Sequence, residues 1–180
     1  PTIAAVQGKV IAGGLMLMWV CDIIIAADDA SFRDMTVEYG VNGVEWFNHP
    51  WEFGIRKAKE LLFTGDAIDA TEAHRLGMVN HVVPADELLD FSVSMAERIA
   101  QKPSFSLKLA KMAVNQTLDA QGFMVSQQQA FGLQHVGHAH ARGEHLRKTG
   151  TDMFPGAGRS RKPFAQPEDE QPEDEQPEES

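Results

Sequence analysis

Two adjacent glycines, Gly13 and Gly14, stand directly before the run Leu15-Met16-Leu17-Met18-Trp19-Val20-Cys21. A helix that opens on glycine presents N–H groups with no preceding turn to satisfy them, and a backbone that a ligand can approach closely. Such an end carries partial positive charge and suits a negative group. The competing reading of the pair is tight packing of helix on strand. Among the carboxylates that follow, Asp34, Glu38 and Glu45 are the candidates for chemistry. Glu45 falls in Gly43-Val44-Glu45-Trp46, with Phe47 next. A carboxylate set among Val44, Trp46 and Phe47 would be partly stripped of water. A desolvated carboxyl holds its proton more tightly and can shuttle it. The alternative for Glu45 is a surface carboxylate on a loop. Asp34 is the reserve acid–base candidate, set against a turn or capping role. Glu38 reads as solvated.

Other reactive side chains make weaker cases. His135, His138, His140 and His145 gather near the end of a helical segment, but no cysteine or carboxylate completes a metal set at ligand spacing. No metal site is therefore expected. His49 reads as polar lining or packing. Cys21, the single cysteine, reads as an inert core residue, excludes an intramolecular disulfide and fits a reducing, cytoplasmic setting.

The elements that must position these residues read as α/β. Ile3–Val6 suits a short buried strand, broken by Gln7-Gly8-Lys9. The run after Gly14 is apolar on every side, which predicts a buried helix. Ile23-Ile24-Ile25-Ala26-Ala27 suits a strand covered on both faces. Residues 31–53 suggest a shaped pocket wall, with Ser31–Arg33 a possible short strand. A helix from Arg56 to Phe63 ends at Gly65 as C-cap. Another opens at Asp69 or Thr71 and closes at Gly77. Met78–Val83 is a strand stopped by Pro84. Beyond it lie three helices: one with Asp86 as N-cap and Ser92 as its polar intrusion, one carrying Leu109, Met112 and Ala113 on a face, and one over 122–142. Residues 149–165 read as an irregular linker.

The charge is uneven. The chain of 180 residues has a formal net charge of −10, with 26 acids and 16 bases. Residues 166–180, QPEDE-QPEDE-QPEES, hold 8 of the acids and no base; the 18 acids left face 16 bases, a formal −2. The repeat lacks apolar residues and is expected to be disordered. A nearly neutral body carries no basic nucleic-acid footprint. The stretch Val10–Ala27 is interrupted by Gly13, Gly14 and Asp22, which argues against a membrane span. A strand-like run so close to Pro1 suggests a sequence joined in mid-domain.

The segment Thr64-Gly65-Asp66-Ala67-Ile68-Asp69-Ala70-Thr71-Glu72-Ala73-His74-Arg75-Leu76-Gly77-Met78-Val79-Asn80-His81-Val82-Val83-Pro84 strongly resembles the crotonase superfamily, the enoyl-CoA hydratase/isomerase family. Ala4-Ala5-Val6-Gln7-Gly8 through Ala12-Gly13-Gly14 and Cys21-Asp22 is similar to its glycine-rich helix start. Lys102-Pro103 through Lys111 and Asn115 is similar to its helical C-terminal part. The resemblance implies a partial ββα spiral over 1–84, an oligomerisation region of helices over 85–148, and homotrimers or hexamers. It implies an acyl-CoA thioester substrate, hydration or double-bond isomerisation, and no metal or redox cofactor. It assigns the Gly13 N–H to an oxyanion hole, with Gly14, Val44 and Trp46 against the substrate and Glu45 or Asp34 as the proton-moving group. The two glutamates usual in hydratases are matched by Met16 and Thr36, neither of which can transfer the proton. A catalytically inactive fragment or scaffold subunit is the alternative.

Overall fold

The computed structural model describes residues 1–153. Two ββα-like turns of chain are stacked so that equivalent strands pair side by side. β1 (Ile3–Val6) pairs in parallel with β3 (Ile23–Ala27), which pairs in parallel with β6 (His81–Val83). β2 (Lys9–Ile11) pairs in parallel with β4 (Ser31–Arg33), whose other edge takes β5 (Ile68–Asp69) antiparallel. Strand, strand and helix recur with α1 (Gly13–Trp19) closing the first turn. This is the expected α/β spiral. Of the run predicted for the last strand, only His81–Val83 is paired. Asn80 instead borders it, donating its N–H to Ile24 O and accepting from Ile24 N, both at 2.8 Å.

β3 is the strand buried on both faces, and its alternation decides the layers. Ile24 and Ala26 join Leu15, Met18, Trp19, Phe32, Val44 and Phe53 in the main core. Ile25 and Ala27 face the other way, onto Leu88, Phe91 and Met95. Those three residues belong to or border the core face of α4 (Leu88–Ala100). Ser92, the polar intrusion on that helix, returns its hydroxyl to Leu88 O at 2.7 Å and so is satisfied in place.

Several expectations need correction. β1 is an edge strand and only partly buried. α1 is not covered all round: Leu15, Met18 and Trp19 are buried, whereas Leu17 and Val20 are 76% and 56% exposed. The described chain packs nothing against that face. Cys21 is half-buried, not in the core. Residues 31–53 contain regular structure, a 3₁₀ turn at Thr36–Tyr39 and the start of α2 (His49–Thr64), with Pro50 in its first turn. The helix expected from Arg56 is the second limb of α2, beyond a kink at Gly54 (φ 72°, ψ 161°). α3 (Ala70–Leu76) is capped as its sequence predicts, Asp69 accepting from Glu72 N at 2.8 Å. Gly65 and Gly77 are left-handed caps of α2 and α3. Asp86 does not cap α4; Glu87 takes the position without a side-chain bond. α5 (Ser104–Ala120) buries no residue, and α6 runs on from Phe123 to Thr149. The later linker and the acidic repeat, residues 154–180, lie outside the described residues. No described helix is long and apolar enough to cross a membrane.

Candidate functional site

The start of α1 is held by its preceding residue. Ala12 takes an unusual positive φ of 44° and donates its N–H to Arg33 O at 3.0 Å, tying the turn to β4. Its carbonyl accepts from Leu15 N at 2.9 Å. The N–H groups of Gly13 and Gly14 have no acceptor among the described residues. The two glycines differ in reason. A Cβ on Gly14 would lie 3.1 Å from Val10 Cγ1, so packing calls for a small residue there. A Cβ on Gly13 would meet nothing within 4 Å. Gly13 is exposed.

One turn into α1, Met16 lines a cavity of about 370 Å³ with Glu45, Trp46, Gln127, Gln128 and Phe131. Gly13's helix, the Gly43–Trp46 loop and α6 therefore meet at one concave surface. Glu45 stands exposed at its rim, in contrast to the desolvation expected from its apolar neighbours. Its chain neighbours bury their own side of the loop, Val44 in the core and Trp46 partly, with Trp46 edge-on to Phe123 at 5.6 Å between centroids.

Asp34 does not reach this cavity's lining. It is 7% exposed and saturated with donors. Oδ1 accepts from the Thr36 N–H and hydroxyl at 2.9 and 2.6 Å. Oδ2 accepts from Val44 N at 3.0 Å and bonds His49 Nε2 at 2.8 Å. Burial pushes its carboxyl up, but the bonds from His49 and Thr36 outweigh that and hold it below the usual aspartate value. This geometry braces the 34–44 loop. Thr36 spends its hydroxyl in the brace. His49 is 1% exposed, edge-on to Trp19 at 4.9 Å and beside Phe47 at 4.7 Å, and its Nδ1 has no partner. Glu38 is engaged by Arg33 Nη2 at 2.6 Å.

Four residues that the sequence reading passed over shape or support the wall. Gln127, 6% exposed, accepts from Phe47 N at 2.8 Å and donates to Phe47 O at 3.1 Å and Asn48 Oδ1 at 2.8 Å. Asn48 in turn donates to Glu52 at 3.1 Å. Burial pushes the Glu52 carboxyl up to about 7, against the opposing pull of that hydrogen bond. Gln134, further along α6, donates to Gly43 O at 3.3 Å.

The comparisons with known proteins bear on this arrangement directly. The profile of the enoyl-CoA hydratase/isomerase family matches residues 1–158. The chain belongs to that family. It is 51% identical over 140 residues to EchA13 of Mycobacterium tuberculosis, which carries an enoyl-CoA hydratase name; the match spans 77% of this chain and 44% of that protein. It is 39% identical over 139 residues to the crotonyl-CoA hydratase of Syntrophomonas wolfei, spanning 74% of this chain and 53% of the relative. The crystal structure of a probable enoyl-CoA hydratase from Mycobacterium thermoresistibile superposes with a TM-score of 0.79 at 52% identity, over 80% of this chain and 61% of that one. The chain thus spans about half the length of the curated relatives it matches. In this enoyl-CoA hydratase/isomerase family member Met16 faces the cavity and Thr36 is bonded to Asp34.

Proposed function

We propose that the chain forms part of a site for an enoyl-CoA thioester. The acyl group lies in the cavity walled by Met16, Trp46 and Phe131, and the thioester oxygen takes the Gly13 N–H. Glu45, the carboxylate at that cavity's rim, moves the proton in hydration, dehydration or C2–C3 double-bond isomerisation. The observation that carries this reading is that Met16, one turn beyond Gly13, and Glu45 line the same cavity. A backbone donor aimed at a developing oxyanion supplies the electronic work, worth on the order of 100- to 1,000-fold per donor. The reaction so written involves no metal or redox group. Asp34 serves it by bracing the loop that carries Val44. The apolar surface of α5, with Phe105 and Leu109 at least half exposed, supports assembly into trimers or hexamers.

The test is turnover of crotonyl-CoA, read from the ultraviolet absorbance of the conjugated thioester. Glu45→Gln should lower kcat by about 100-fold or more with unchanged folding. Equal rates for variant and parent would remove Glu45 from the chemistry. A second reading is a binding subunit without turnover; it is favoured by the loss of proton-transfer capacity at Met16 and Thr36. Thioester binding without turnover, in parent and variant alike, would establish it.

A further inference from the structure

Glu45 is exposed, yet the backbone that carries it is not free. Residues 43–47 belong to no strand and close on themselves. A Cβ on Gly43, whose φ is 148°, would stand 2.6 Å from Phe47 Cε2, so Gly43 and the Phe47 ring are packed together. Glu45 is midway between them, at the apex of the turn. Both ends of that turn are bonded to one helix, α6. At one end a single side chain takes both main-chain groups of Phe47: Gln127 accepts from its N–H at 2.8 Å and donates to its carbonyl at 3.1 Å. The same amide donates to Asn48 Oδ1 at 2.8 Å. At the other end Gln134 donates to Gly43 O at 3.3 Å. The two glutamines are seven residues apart on α6, about 10 Å along one face. Between them, Ala130 O accepts from Asn42 Nδ2 at 3.3 Å.

Glutamine is mostly a surface residue, yet Gln127 and Gln134 are both buried. From the inner side of the turn, Asp34 accepts from Val44 N at 3.0 Å. The main chain is thus held on both sides of residue 45, at 43–44 and at 47–48. Both N–H donors of the Gln127 amide are spent on Phe47 and Asn48, so what this side chain does at the cavity it does through the turn. α6 also supplies Gln128 and Phe131 to the cavity wall. One helix therefore sets the wall and the backbone of the carboxylate in a single register.

We propose that Gln127, seconded by Gln134, is a positioning residue that holds Glu45 at the acyl group, an inference that rests on the proton-moving role proposed for Glu45. Proton transfer needs heavy atoms within about 3 Å of each other. A misplacement of about 1 Å, caused by a change away from the chemistry, can cost about 100-fold in rate. An exposed carboxylate on an unheld loop would not keep that distance. Here the turn is fixed at both ends by buried amides of α6, and the loss of either amide reaches residue 45 through the main chain.

A double-mutant cycle on crotonyl-CoA turnover by the full chain tests the assignment. Gln127→Met is close to glutamine in length but makes neither bond to Phe47. It should lower kcat about 10- to 100-fold, with KM little changed. In the Glu45→Gln background the same change should add nothing, because the group being positioned is already gone. Gln134→Met removes a single bond; it should show the same pattern more weakly, and it carries the test if Gln127→Met does not fold. Ser126→Ala is the control. It removes the acceptor of the Trp51 Nε1–H bond at 3.2 Å, loosening the same turn of α6 without touching residues 43–48, so kcat should hold. Unchanged kcat in the folded glutamine variants, losses that multiply with that of Glu45→Gln, or an equal loss in Ser126→Ala would overturn the positioning role alone. A parent without turnover, or Glu45→Gln as fast as the parent, would instead remove the role of Glu45 and this inference with it.

Discussion

Neighbouring residues of one motif carry separable roles here. Gly13 and Gly14 are adjacent, yet only Gly14 is required by packing, with Val10 Cγ1 3.1 Å from the place of a Cβ. Gly14→Ala should cost about 1 kcal/mol through overpacking, read by chemical denaturation. Gly13→Ala meets nothing within 4 Å and needs no special backbone, so its stability should change by less than about 0.5 kcal/mol. If the Gly13 N–H faces a thioester, the same change should raise KM for crotonyl-CoA. An unaltered KM and kcat would detach Gly13 from the site. Asp34 makes the converse case. Its four donors leave no lone pair for a reacting group, so Asp34→Asn should destabilise by about 2–3 kcal/mol. Folded variant should keep most of its turnover. A collapse of turnover with stability intact would return Asp34 to the chemistry.

At the scale of elements, the kink in α2 has a definite cause. Gly54 sits at φ 72°, ψ 161°, a region open to little but glycine, while a Cβ there would meet nothing within 4 Å. Gly54→Ala therefore isolates a backbone penalty of about 1–3 kcal/mol, without a steric part. A melting curve matching the parent's would refute that account. The same kink shows what the sequence could and could not convey. Caps and runs were legible: Asp69, Gly65 and Gly77 bound their helices because local chemistry alone determines a cap, and β3 announced itself by unbroken apolar residues. The 49–53 limb of α2 was hidden because Pro50 and Gly54 punctuate it, and both read as loop. Of the residues that line the cavity, Glu45 and Trp46 stood out in the sequence, since an acid among aromatics is a local signal. Gln127 and Gln134 were missed, since a glutamine in a helix reads as a solvated helix former. Their one signal was spacing: with Phe123 and Ala130 they complete a buried face at 123, 127, 130 and 134. Only the fold shows that this face clamps residues 43–48.

For the molecule as a whole, one buried and one partly buried carboxylate, Asp34 and Glu52, pull stability in opposite directions with pH. Asp34 is held below its ordinary value, so the folded state loses protons there more readily than the unfolded chain. Its contribution is present above about pH 4 and is lost as pH falls through its lowered folded value. Glu52 is the reverse case. Burial raises it from 4.5 to about 7, so between those values the folded chain keeps a proton that the unfolded chain releases. Its contribution is fully present below about pH 4.5 and is lost as pH rises through about 7. Together the two groups place a stability maximum between about pH 4 and 4.5, above the ordinary aspartate value and below the point at which the Glu52 contribution starts to fall. The Glu52 part is at most about 3.5 kcal/mol, from about 1.4 kcal/mol per pH unit. Glu52→Gln keeps the shape of the side chain and the bond to Asn48 while removing the titration. The difference in unfolding free energy between variant and parent should therefore grow in the variant's favour from pH 5 to pH 8. Parallel stability curves for the two proteins would show instead that Glu52 is ionised in the folded state throughout.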